Sequence, residues 1–94
     1  SMSSILVVED HVAFGKALVR LLSEKANLDV VEVISSGEEA LEKLPSLDVD
    51  LLLIDVSLPK MNGIHLVSMI HEKFPDLHCL MLSGHLTPFY VLDA

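Results

Sequence analysis

Leu51-Leu52-Leu53-Ile54 is an unbroken apolar run held between two aspartates, Asp50 and Asp55. A strand with one wet face would alternate apolar and polar residues. A short continuous run with polar flanks is the pattern of a strand buried on both faces, as in a parallel sheet. Ile5 to Val8 repeats the pattern, Leu80 to Leu82 forms a shorter version, and Val30 to Ile34 is broken only by Glu32. Strands buried on both faces need helices on both sides, so this chain is committed to layered α/β architecture.

The intervening segments supply those helices. Phe14, Leu18, Leu21 and Leu22 fall on one helical face and predict a helix from about Val12 to Lys25, ended by Asn27. Ser35-Ser36-Gly37-Glu38-Glu39 offers two overlapping capping boxes, Ser35 with Glu38 and Ser36 with Glu39, for a short helix ending before Pro45. Leu58 to Gly63 has turn chemistry. Ile64, Val67, Ile70 and Phe74 mark a third helix stopped by Pro75, and Thr87-Pro88 predicts the start of a fourth. Successive parallel strands joined by helices require right-handed crossovers, hence a doubly wound sheet.

With 94 residues there is room for one domain, residues 1–94, and 51% hydrophobic residues exclude a disordered segment. Ser1 in front of Met2 reads as a cloning remnant. The formal net charge of −8 argues against a nucleic-acid or anionic-membrane surface on this chain. No apolar run approaches the roughly 20 residues of a membrane span. Cys79 is the single cysteine, in an apolar run, so it reads as a core residue in a reducing, cytoplasmic setting.

Two strands end in carboxylates: the first in Glu9-Asp10, the third in Asp55. Ligands of open α/β sheets bind at the carboxyl ends of strands, so these acids predict a pocket if the two strands are neighbours. Two such charges about 4 Å apart repel by about 4 kcal/mol at an effective dielectric near 20, which a bound cation relieves. Oxygen-only ligands suit magnesium. Alternatively, Glu9 and Asp10 serve the dipole of the first helix, a role that Asp55, with no helix directly after it, does not share.

Val7-Val8-Glu9-Asp10-His11, the segment Leu53 to Ile64 with its Asp55, Leu58-Pro59 and Gly63, and Met81-Leu82-Ser83-Gly84 together resemble the receiver domain of bacterial two-component response regulators. The variety followed by a DNA-binding domain of the NarL/LuxR kind is the best match. The resemblance implies a flavodoxin-like sheet with strand order 2-1-3-4. It implies Asp55 as phosphoacceptor from a sensor histidine kinase, and magnesium held by Asp10, Asp55 and the Ser57 backbone carbonyl, with Glu9 acting through water. Ser83 becomes the switch hydroxyl, with Gly84 leaving space for the phosphate. Pro59 and Gly63 shape the loop.

One departure from the family pattern stands out. Receivers carry a fifth βα unit whose strand ends in a phosphate-pairing lysine, and this chain shows neither; Lys60 and Lys73 stand elsewhere. Losing that charge-assisted bond costs about 1.5–3 kcal/mol. An open fourth-strand edge then predicts either self-association through the C-terminal half or a fragment of a longer polypeptide. Two other readings follow: a receiver-like interaction module that takes no phosphate, and, through Asp55-Val56-Ser57, a resemblance to haloacid-dehalogenase-type phosphatases. The latter lack support at Ser57, where that family has a second aspartate. Of the histidines, His11 and His85 are expected to flank the pocket, and His65, His71 and His78 to be solvated or half-buried.

Overall fold

Parallel β1 (Ser3–Val8) and β3 (Leu51–Asp55) form the centre of one sheet in a computed structural model that describes residues 2–25, 27–55, 63–82 and 88–91. Between and after them come α1 (Val12–Ser23), β2 (Leu28–Ile34), α2 (Gly37–Lys43) with a 3-10 turn over Leu44–Ser46, α3 (Gly63–Lys73), β4 (His78–Leu82) and β5 (Pro88–Val91). The order across the sheet is β2-β1-β3-β4-β5, and the first four strands are parallel in the expected 2-1-3-4 arrangement.

The apolar runs of the two central strands β1 and β3 are buried on both faces, as their sequence required, whereas β4 buries only Cys79 and Met81 and the edge strand β2 leaves Val31 and Val33 exposed. Leu6, Val8, Leu52, Ile54, Cys79 and Met81 face Ala40, Leu44, Leu66, Val67 and Ile70 of the α2–α3 layer. Ile5, Val7 and Leu53 face the opposite side, where Leu18 and Leu22 of α1 cover them. Each fully buried aliphatic side chain contributes about 1.5–3 kcal/mol, so these two small clusters dominate the stability of the domain.

Local signals placed most boundaries. Of the two capping registers the chain uses Ser36, whose Oγ accepts the Glu39 backbone N–H at 3.2 Å. Pro45 falls in the 3-10 turn that ends this helical segment. Glu32, the polar break in β2, pairs with Lys43, which also meets Glu39 one turn back, so α2 is clasped to the edge strand. The Lys43 ammonium is pushed up first by its hydrogen bond to Glu32 and then by Glu39.

Three expectations need correction. Leu21 and Ile64 are 56% and 62% exposed, and the inner helix faces are instead completed by buried Gly15 in α1 and by Gly63 and Leu66 in α3. Pro88 starts no helix. Pro88–Val91 is a strand running antiparallel to β4, with Leu82 opposite Pro88 and Cys79 opposite Val91. Phe89, Tyr90 and Val91 are strand-favouring types, and a proline is tolerated at the first position of an edge strand. The β4 edge is therefore paired, which removes the ground given for self-association; β2 and β5 are the outer strands.

Candidate functional site

Parallel pairing sets the site. Val8 stands opposite Ile54, so the next residues, Glu9 just past β1 and Asp55 at the end of β3, lie side by side at the carboxyl edge of the sheet. The Glu9 backbone N–H donates to the Ile34 carbonyl at 2.8 Å, which carries the β1–β2 ladder one residue beyond the strand and fixes the Glu9 backbone. Glu9 is 3% exposed and Asp55 9%, the two charged side chains of the described core.

Glu9, Asp10, His11 and Asp55 each offer a ligand atom within 4.8 Å of the others. The carboxylates are not spent on capping α1. The N-cap is His11, without a side-chain cap bond, and no acidic residue lies in the first turn. His11 instead turns back on the acids. Its backbone N–H donates to Glu9 Oε2 at 3.0 Å, and its Nδ1 lies 3.2 Å from the same oxygen and 3.4 Å from Asp10 Oδ1. The imidazole is exposed while the Glu9 side chain is buried.

The electrostatics follow. Burial pushes the Glu9 carboxyl up from its ordinary value, His11's hydrogen bonds pull it back in part, and the Asp55 charge adds to the rise. The His11 imidazole is pushed up by its hydrogen bond to Glu9 first and by the Asp10 charge next. Glu9 Oε1 and Asp10 Oδ1 are buried without a hydrogen-bond partner. Buried oxygens that lack donors are costly unless a cation takes them up. The donors here are carboxylate oxygens, the ligand type of hard divalent cations, so the residues present fit magnesium.

Three of the four acidic-site expectations therefore meet in space: Glu9, Asp10 and Asp55. His11 belongs with them, although its sequence position suggested only a flanking role. The available signal was its place two residues after Glu9, close enough for the backbone N–H to return to that carboxylate. Ser57, Ser83, Gly84, Pro59, Lys60 and His85 lie outside the described residues. Lys73 sits at the far end of α3 beside Phe74, Asp50 and His78, at the opposite edge of the sheet, and does not serve this pocket. Among the described residues His65, His71 and His78 join no ligand cluster. No described helix is long and apolar enough to cross a membrane.

Comparison with known proteins agrees with this geometry. Residues 5–94 match the response regulator receiver domain. The DNA-binding transcriptional activator DevR/DosR of Mycobacterium tuberculosis is 37% identical over 93 residues, which cover 99% of this chain and 43% of that protein. The nitrate/nitrite response regulator protein NarL of Escherichia coli is 34% identical over 89 residues, 95% of this chain and 38% of the relative. Among solved structures, RcsB of Salmonella enterica serovar Typhimurium, bound to a promoter in the presence of the phosphomimetic BeF3-, superposes with a TM-score of 0.82. It is 26% identical, with 88% of this chain and 42% of that chain covered. The chain thus spans less than half the length of these relatives.

Proposed function

The chain belongs to the response regulator receiver domain family, and on that footing we propose that Asp55 is the phosphoacceptor of a two-component signalling system. The observation that carries this reading is the meeting of Asp55, Glu9 and Asp10 at the carboxyl edge of adjacent parallel strands. A carboxylate is an unprotonated nucleophile at neutral pH and needs no general base. An Asp55 oxygen attacks the phosphorus of a phosphohistidine on the partner kinase. The new P–O bond forms as the P–N bond breaks, and the leaving imidazole takes up a proton.

Asp10, Asp55 and the Ser57 backbone carbonyl would hold magnesium, with Glu9 acting through water. Held there, magnesium would supply positive charge against the transferring phosphoryl group, the main electrostatic demand of such transfers. Glu9 is fixed by its backbone bond to Ile34, and His11 orients its Oε2, so the carboxylates keep their positions. Ser83 binds the phosphoryl group after transfer, and Gly84 leaves it room. Its setting is cytoplasmic, and the phosphoryl state is passed to a separate DNA-binding output domain, as the transcriptional relatives suggest.

Incubation with acetyl phosphate and magnesium, followed by intact mass, tests the reading. One added phosphoryl group, abolished by Asp55→Asn, is expected. A folded sample with no adduct overturns it and leaves an interaction module that works without phosphate.

A further inference from the structure

Beside the acidic site, an open groove of about 670 Å³ runs between α1 and the edge strand β2. Its apolar wall is made by Val12, Gly15, Val19 and Val33, and Glu9 and Asp10 close it at one end. Small-molecule sites commonly span about 300–1,000 Å³ and pair apolar walls with a few placed polar groups. Val12 is 71% exposed and Val33 39%, so apolar surface is left uncovered here. Gly15 keeps α1 close to the strand: a Cβ on it would lie 3.2 Å from Val33 Cγ1.

The acidic end supplies an independent sign of a ligand. The Glu9 side chain is 1% exposed, and its Oε1 has no hydrogen-bond partner. Beside it, Asp10 Oδ1 is buried without a hydrogen bond, although His11 Nδ1 lies 3.4 Å away as an ion-pair partner. An added strand is a poor occupant, because the β1–β2 register shifts between Ile5 and Leu6 and leaves Val31 out of step. Such bulges blunt sheet edges against pairing. Farther along α1 the groove is lined by Lys16, Arg20 and Glu24, a net positive balance that opposes a second positive charge there.

We infer that the groove binds an organic monocation, a guanidinium or primary ammonium on an apolar body. Its head sits on Glu9 and Asp10 and its body on Val12, Val19 and Val33. The site shares two carboxylates with the proposed magnesium site, so the organic cation and the metal compete. It does not need Asp55 to accept a phosphoryl group.

The test is a titration of the 15N-labelled chain with phenethylguanidinium chloride, followed by amide shifts. A dissociation constant of about 1 mM suits a ligand of this size. Shifts should cluster on Val12 to Arg20 and on Val33. The neutral isostere phenethylurea, and a derivative with an aminomethyl group at the apolar end, should each bind at least fivefold more weakly. Saturating magnesium should raise the apparent constant. Val19→Lys should weaken binding at least fivefold, and Val33→Ala should weaken it too, with the magnesium midpoint of each variant within twofold of the parent. Shifts scattered over the surface, equal binding of the urea, or indifference to both variants would overturn the inference. Groove binding without phosphorylation of Asp55 would fault the functional reading alone; phosphorylation without groove binding would fault this inference alone.

Discussion

Glu9 and Asp55 occupy equivalent steps on neighbouring parallel strands, each one residue beyond the paired Val8 and Ile54. The sheet therefore presses two carboxylates together at the point where both strands end. Nothing in the apolar core requires this, since either position could hold a neutral residue without disturbing the ladder. The fold tolerates a local electrostatic cost there.

Glu9→Gln should stabilise the metal-free chain at neutral pH. The Glu9 carboxyl is raised by burial, so the folded state holds a proton that the unfolded state releases more readily. Its stabilising contribution is complete below the ordinary carboxyl value and is lost as pH rises through the folded value. Removing the charge should restore about 1 kcal/mol at pH 7, the scale of one buried oxygen left without a donor. The gain should vanish near pH 4. Urea unfolding at the two pH values, without magnesium, gives both numbers.

Magnesium should act in the opposite sense to that repulsion. At ten times its dissociation constant the ion should add about 1.4 kcal/mol to unfolding free energy, by simple linkage. Chelation should remove the gain, and Asp10→Asn should shrink it by weakening the site. Thermal melts over a magnesium series provide the check; a melting temperature indifferent to the ion would sink the metal assignment.

His11 reports the same field from its exposed side. Its imidazole is raised by the hydrogen bond to Glu9 before the charge of Asp10. Followed by NMR, His11 should titrate above an ordinary histidine, fall back further with Glu9→Gln than with Asp10→Asn, and fall when magnesium is added. The sign is that of a cation with acidic partners: the stabilising contribution is full below the unfolded value and lost as pH rises through the folded one. A larger response to Asp10→Asn would reverse the order of causes.

Much of this is legible in the amino-acid sequence. The runs at Ile5 and Leu51 announce strands because burial on both faces leaves no alternation to misread. The carboxylates that end both runs mark the pocket once the strands are neighbours. Tertiary detail was harder. Leu21 and Ile64 fit the helical period yet lie outside, because a helix packed on a sheet buries a narrow stripe and small residues such as Gly15 can occupy it. Pro88 misled because a proline before aromatic and β-branched residues suits a helix start and an edge strand equally. Only the partner strand β4 decides between them.

That narrow stripe makes a paired prediction on α3. Ile70 is fully buried against the sheet while Ile64, nearly two turns earlier, is 62% exposed. Ile70→Ala should cost about 2–5 kcal/mol through lost burial and the cavity left behind. Ile64→Ala should stay within about 0.5 kcal/mol, as surface changes do. Denaturant midpoints of the two variants separate the faces, and comparable losses would place Ile64 in the core.

Gly15 and Val33 should be energetically coupled. Alanine is favoured over glycine inside a helix by about 1 kcal/mol, but here its Cβ would sit 3.2 Å from Val33 Cγ1. Val33 is β-branched, hence stiff, yet it lies on an edge strand with its side chain partly in solvent. The two effects should nearly cancel, leaving Gly15→Ala within about 0.5 kcal/mol of the parent. Val33→Ala removes the atom in the way. In that background Gly15→Ala should stabilise by about 1 kcal/mol, the unopposed helix preference. A double-mutant cycle from urea unfolding isolates the difference as a coupling energy. Additive behaviour would mean that α1 shifts freely away from β2, and that glycine is not what holds the helix close to the strand.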